Sequence, residues 1–93
     1  MTDMTREDHQ ARHLATVSHE GRFWDVYLEV TEEVGSRPCR ARLRYSPADP
    51  SAGGEPIRTT TILIEQTFED VVAKARGFGD HHLIAMLRSA LPD

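Results

Sequence analysis

Apolar and polar residues alternate strictly along two stretches in the first half of the chain. One alternating set consists of Trp24, Val26, Leu28 and Val30, and the other of Cys39, Ala41, Leu43 and Tyr45. Successive side chains of a strand point to opposite faces of a sheet, so each set predicts a strand with one buried face. Gly35-Ser36 between them fits a two-residue hairpin turn. Counting outward from this turn predicts Val30 opposite Ala41, Leu28 opposite Leu43 and Val26 opposite Tyr45.

The other faces of these two strands carry the most distinctive side chains of the sequence. They are Phe23, Asp25, Tyr27 and Glu29 on the first strand and Arg40, Arg42 and Arg44 on the second. The predicted register places Glu29 against Arg42 and Tyr27 against Arg44, and cross-strand pairs of this kind stabilise a sheet by about 0.2–1 kcal/mol each. We therefore expect an arginine ladder beside aromatic and acidic residues.

The period of the pattern changes in the second half of the chain. Residues 57–65 predict a fourth strand with apolar residues on both faces, and we expect Ile62 and Ile64 to be buried and Leu63 to lie on the open face. A helix follows, since one helical stripe collects Phe68, Val71, Val72, Ala75 and Phe78. Thr67 is predicted to be its N-cap.

The two ends of the chain give weaker patterns. Residues 14–19 predict a first strand that ends at a Glu20-Gly21 turn, and residues 1–13 a flexible tail or a marginal helix. Asp80 is predicted to cap a last helix, whose apolar face is formed by Leu83, Ile84, Leu87 and Leu91. We therefore predict one α+β domain over residues 14–93, an antiparallel three- to four-stranded β-meander with two C-terminal helices packed on one face.

Composition narrows the class of protein. The chain has 93 residues, of which 39% are hydrophobic and 28% charged, as in an ordinary globular domain. No apolar run approaches the length of a membrane helix, and neither the lone Cys39 nor the charged N-terminus suggests secretion, so we expect a cytoplasmic protein. A net charge of −4 argues against a surface that follows nucleic-acid phosphates throughout.

Residues that carry chemistry are few and poorly clustered. His9 and His13 would share one face if the tail were helical, as a metal site requires, but no matching ligand cluster follows. Cys39 is expected in the core, and Asp25 and Glu29 among arginines are expected to stay ionised. The sequence has no phosphate-binding glycine loop or nucleophile motif. We therefore expect no metal, no cofactor and no enzymatic activity.

The arginine ladder allows two functions. Aromatic residues among arginines on a sheet face are typical of single-stranded nucleic-acid binding. Alternatively, Asp25, Glu29 and Glu65 neutralise the ladder, which favours a salt-bridged face or a protein contact. We favour the second interpretation, a protein-interaction or self-associating module. We expect a homodimer formed through the open face, with Phe23, Tyr27, Leu63, Thr59 and Thr61, or through a strand edge.

The segment FWDVYLEVTEEVGSRPCRARL, residues 23–43, resembles the opening hairpin of small bacterial proteins with a double-stranded-RNA-binding-domain-like fold. The resemblance extends over residues 23–75 and includes the order of elements, a meander followed by a helix. It implies the fold alone, because those bacterial proteins have no assigned activity. RNA-binding members of the fold carry a basic cluster at the start of the last helix, where this chain has Glu69 and Asp70, which would repel phosphates.

Overall fold

The computed structural model describes residues 11–30, 38–49 and 54–92, and the statements below concern these residues. The elements are β1 (Ala11–His19), β2 (Arg22–Val30), β3 (Cys39–Pro47), β4 (Ile57–Arg58), β5 (Leu63–Glu65), α1 (Phe68–Arg76) and α2 (Asp80–Ala90). The sheet is antiparallel in the order β1-β2-β3, with β4 and β5 both paired to the far side of β3. The predicted α+β class is confirmed.

The register of β2 and β3 is the predicted one. Val30 pairs with Ala41, Leu28 with Leu43 and Val26 with Tyr45. A slip of one residue would turn the buried set of each strand toward solvent, so the matched apolar faces hold this register. The predicted Gly35-Ser36 turn lies in residues 31–37, outside the described residues.

The first strand begins earlier than the sequence pattern predicts. β1 starts at Ala11 and not at Leu14, so residues 11–13 belong to the sheet and not to a tail or helix. The register of β1 with β2 shifts between His13 and Ala15, which marks a β-bulge. The predicted Glu20-Gly21 turn is confirmed, because positive φ angles of 54° and 81° at its two residues are those of a primed hairpin turn.

The fourth strand is interrupted, in contrast to the continuous strand that we predicted. Ile57 pairs with Tyr45, whereas Leu63 pairs with Ala41, so residues 59–62 contain two residues more than the facing part of β3. The Thr59 hydroxyl accepts a hydrogen bond from the Leu43 amide at 3.0 Å, while the Thr59 amide donates to the Leu43 carbonyl. The Thr59 side chain thus accepts from a backbone amide of β3 that the interruption would leave unpaired.

Our expectation for the buried face of this strand is wrong. Leu63 is 7% exposed and packs in the core, whereas Ile64 is 51% exposed. The cause is the pairing with β3, since Leu63 lies opposite the buried Ala41 and Ile64 opposite Arg40. Ile62 is half-buried against the core. Val30, which we expected to be fully buried, is only half-buried.

Both helices lie against the buried face of the sheet. α1 contacts β3 and β5, while α2 contacts the two edges, β1 and β4. The core that they cover consists of Val17, Trp24, Val26, Leu28, Ala41, Leu43, Tyr45, Leu63, Val71, Ala75, Leu83 and Leu87. No helix in the described ranges is long and apolar enough to cross a membrane.

The helix termini agree with prediction in one case and differ in the other. Thr67 caps α1, its hydroxyl accepting from the Asp70 amide at 3.1 Å. Asp80 does not cap α2, because the N-cap residue is Gly79 and Asp80 already lies in the first turn. Tyr45 joins α2 to the sheet by donating its hydroxyl to the Leu83 carbonyl at 2.6 Å, and burial raises the pKa of Tyr45 to about 12.

Candidate functional site on the open face of the sheet

The side of the sheet opposite the helices, here called the open face, carries seven of the eight residues that the sequence singles out. They are Phe23, Asp25, Tyr27 and Glu29 on β2 and Arg40, Arg42 and Arg44 on β3. The eighth, Leu63, is in the core, which excludes it as a contact residue. Strict alternation along two strands in fixed register is what brings the seven together.

Glu29 is the centre of this face. Its Oε1 accepts from Arg42 Nε at 2.8 Å and from Arg58 Nε at 3.1 Å, and its Oε2 accepts from Arg44 at 3.3 Å. The carboxylate side chain is only 16% exposed, although it lies on the solvent side of the sheet. The three arginines around Glu29, which we call the arginine cluster, therefore cover it.

The electrostatics of Glu29 result from opposing influences. Burial is the largest single one and raises the pKa, because it disfavours the charged carboxylate. The hydrogen bond from Arg42, the charge and hydrogen bond of Arg58 and the charge of Arg42 act in the opposite direction and together outweigh it. The pKa of Glu29 is therefore lower than its ordinary value, and the carboxylate is ionised at neutral pH.

Tyr27 lies between two other side chains of the open face. The Arg44 guanidinium is stacked over its ring at 4.6 Å from the centroid, and the His13 ring meets it edge-on at 5.3 Å. Stacking of this kind stabilises an arginine by about 0.5–1 kcal/mol or more, depending on exposure. Arg44 occupies one face of the ring, His13 contacts it as well, and Tyr27 is only partly exposed, so little aromatic surface is free.

A second polar cluster surrounds Asp25 at the β1 side of the face. Thr16 Oγ1 donates to Asp25 Oδ1 at 2.6 Å, and His13 Nε2 lies 3.3 Å from the same oxygen. An activated hydroxyl would give its proton to the histidine, whereas the Thr16 proton is directed to the carboxylate. This arrangement stabilises the pairing of β1 with β2 and does not form a nucleophile.

Sequence reasoning missed three residues of the open face: His13, Thr16 and Arg58. Counting residues outward from the Glu20-Gly21 turn places Thr16 opposite Asp25, so the sequence could have identified Thr16. His13 reaches Tyr27 only because of the bulge, which no local pattern predicts. Arg58 pairs with Arg44 and reaches Glu29 from β4.

Large apolar side chains are exposed at both ends of the open face. Phe23 is 62% exposed and lies beside Ala48, and Ile64 is 51% exposed and lies beside Arg40. Ala48 and Arg40 are eight residues apart, which is about 27 Å along an extended chain. The open face thus has two apolar ends with a charged centre between them.

The remaining candidates lie elsewhere. Glu65 does not neutralise the arginine ladder as we expected, because its carboxylate pairs with Lys74 of α1 at 3.2 Å. Cys39 is half-buried, and burial raises its pKa, which is the reverse of an activated thiol. Within the described ranges, no three His, Cys, Asp or Glu residues could together hold a metal ion, and His9 falls outside those ranges.

Comparison of the chain with protein-family models, curated proteins and solved structures found no match. The resemblance to the double-stranded-RNA-binding-domain-like fold therefore stays a prediction. Function has to be inferred from the open face and from the edges of the sheet.

Proposed function

We propose that this protein is a non-catalytic interaction module that self-associates as a homodimer, with the edge strand β1 of each copy pairing at a two-fold axis. The observation that carries the proposal is the length of β1, nine residues at the border of the sheet, without lysine or proline. Natural edge strands usually carry such residues to prevent pairing with another chain. Among the residues that the structure describes, the protection of β1 is limited to its bulge and to Arg12 near its start.

The outer side of β1 has the geometry that pairing requires. Ser18 lies opposite Phe23, whose carbonyl accepts from Ala48 on the β3 side of β2. Hydrogen-bonded and non-bonded pairs alternate in an antiparallel ladder, so the backbone of Ser18 points away from β2, and so does that of Thr16. A two-fold axis at Val17 would set Thr16 against Ser18 of the second copy and form about four backbone hydrogen bonds.

The open face is a weaker dimer interface than the edge. A two-fold contact across the face needs free carboxylates to meet the arginines of the other copy. Glu29 already accepts hydrogen bonds from all three members of the arginine cluster, and Asp25 is engaged by Thr16. Two such faces would therefore bring arginine against arginine.

Nucleic-acid binding is the second candidate function, supported by the arginines beside Tyr27 and Phe23. Single strands need aromatic rings on which successive bases can stack. Tyr27 is covered by Arg44, and Phe23 stands alone at one end of the face. We therefore rank this function below protein interaction.

Light scattering coupled to gel filtration tests the dimer. At tens of micromolar we expect twice the chain mass of 10.5 kDa. Ser18→Pro removes an N–H that points away from β2 and that edge pairing requires, so this variant should be a folded monomer, whereas the matched control Ser18→Ala should stay dimeric. A monomeric wild type refutes self-association, and a dimeric Ser18→Pro refutes the β1 contact. Tyr27→Glu should leave the dimer intact, since a monomer here would move the contact to the open face.

A further inference from the structure

The arginine cluster carries more positive charge than its own carboxylate neutralises. Three guanidinium groups, those of Arg42, Arg44 and Arg58, surround the single carboxylate of Glu29, which leaves a local charge of about +2 on a protein whose net charge is −4. We propose that the open face binds an extended acidic segment of a partner protein, which rests on the proposed role as an interaction module.

The geometry of two arginines suits carboxylates in particular. Arg42 and Arg58 both use Nε to reach Glu29, so the bonds described here do not involve their terminal nitrogens. A guanidinium has five N–H groups, and the planar fork of the remaining ones matches a carboxylate in bidentate fashion. Both side chains are more than a third exposed, and Glu29 holds them in place before a ligand arrives. Preorganisation of this kind lowers the entropic cost of binding.

The two apolar ends define the length of the segment. The positions of Phe23 and Ile64 are separated by about 27 Å along the direction of β3, which an extended peptide spans with about eight residues. Next to Phe23 there is an open depression of about 440 Å³ lined by Thr16, Arg22, Asp25 and Pro47, among others, which has room for a large apolar side chain. The segment that fits has acidic residues at its centre and one apolar residue near each end.

A polyphosphate backbone fits this face less well than a peptide. The protein as a whole is acidic, so long-range repulsion opposes a long polyanion, whereas a short segment meets mainly the local positive cluster. The covered Tyr27 ring leaves nothing at the centre on which a base could stack. At the ends of the face only Phe23 offers a ring for one base, since Ile64 is aliphatic.

Fluorescence polarisation provides the test. The probe is a fluorescein-labelled peptide of about nine residues, LEEDEDEEL, compared with LQQNQNQQL and with a single-stranded thymidine oligonucleotide of similar contour length. We expect salt-sensitive binding of the acidic peptide at micromolar concentrations and no binding of the neutral peptide. No binding of the acidic peptide, or equal binding of the neutral one, overturns the proposal. Tighter binding of the oligonucleotide overturns it in favour of a phosphate ligand.

Matched arginine variants locate the site. Arg42→Gln should weaken binding roughly tenfold, as loss of one charge-assisted contact does, while Arg88→Gln on α2 changes the net charge equally and should have no effect. Equal effects of the two variants mean that net charge alone attracts the peptide and refute the site. Arg58→Gln is the second variant in case Arg42→Gln does not fold.

The proposed dimer and the proposed acidic ligand can be refuted independently of each other. The Ser18→Pro variant should still bind the peptide in a salt-dependent way, because the arginine cluster lies on β3 and β4 and not on β1. A wild-type dimer that ignores the peptide refutes only the acidic ligand, and a wild-type monomer that binds it refutes only self-association.

Discussion

Replacing Glu29 by Gln should destabilise the domain through the arginine cluster. The substitution keeps the shape of the side chain and one acceptor oxygen, but it removes the negative charge that three guanidinium groups share. Once the carboxylate is neutral, these arginines repel one another across the open face. The loss is therefore electrostatic, with little change in packing.

The size of the stability loss can be estimated from the exposure of the three arginines that contact Glu29. Arg42 and Arg58 are more than a third exposed, so their contacts contribute about 0.2–1 kcal/mol each. Arg44 is a quarter exposed but its contact is longer, at 3.3 Å, and we assign it about 1 kcal/mol. The sum is about 2 kcal/mol, but glutamine does not incur the cost of burying a charge. We therefore expect a net loss of about 1 kcal/mol, which lowers the Tm of a domain this size by roughly 4–8 °C.

The direction of the Glu29 pKa shift determines how the stability loss depends on pH. Glu29 has a folded pKa below its ordinary value of 4.5, so its charged form is favoured in the folded state. Its contribution is fully present above 4.5 and is lost as the pH falls through the lower folded pKa. The difference in unfolding free energy between wild type and Glu29→Gln should accordingly be largest at neutral pH and shrink toward zero in acid.

Urea unfolding of both proteins across this pH range is the measurement. Glu55→Gln, at an exposed position in the loop before β4, is the matched control and should be as stable as wild type at neutral pH. A Glu29→Gln variant with wild-type stability at neutral pH would show that the cluster contributes nothing. A loss that persists in acid would show that the effect is steric.

Two further predictions test the packing. Val71→Asp should unfold the domain, because Val71 lies fully buried on the core side of α1 and the aspartate would place an unpaired charge in the core. A variant that melts at the wild-type temperature contradicts this packing. Leu63→Asp should likewise unfold the domain, whereas Ile64→Asp, one residue later on the open face, should change the unfolding free energy by less than about 1 kcal/mol in circular-dichroism melts. Equal effects of the last two would contradict the register of β5.

The features that the sequence predicts correctly are those that local chemistry determines. Alternation along β2 and β3 assigns their faces, and the register follows because only one alignment matches apolar with apolar residues. Thr67 caps α1 because its hydroxyl reaches the Asp70 amide three residues later. Seven residues of the candidate site follow from the same alternation.

The features that escape prediction depend on tertiary pairing. The choice between Leu63 and Ile64 is made by β3, which sets Leu63 against Ala41. Arg58 could have indicated the correct face. It has the same place in the alternation as Ile64, and a charged residue favours the outward face. The bulge near Leu14 and the pairing of Glu65 with Lys74 leave no trace in a local pattern.

The interruption between β4 and β5 has a consequence for how far assembly can proceed. If β1 of one copy pairs with β1 of another, the combined sheet has one outer border in each copy. Each border is formed by that copy's β4 and β5, which are two and three residues long. With the extra residues 59–62 between them, they offer no continuous backbone template to a third chain. Association through β1 is then self-limiting: it stops at two copies and does not extend into a fibre.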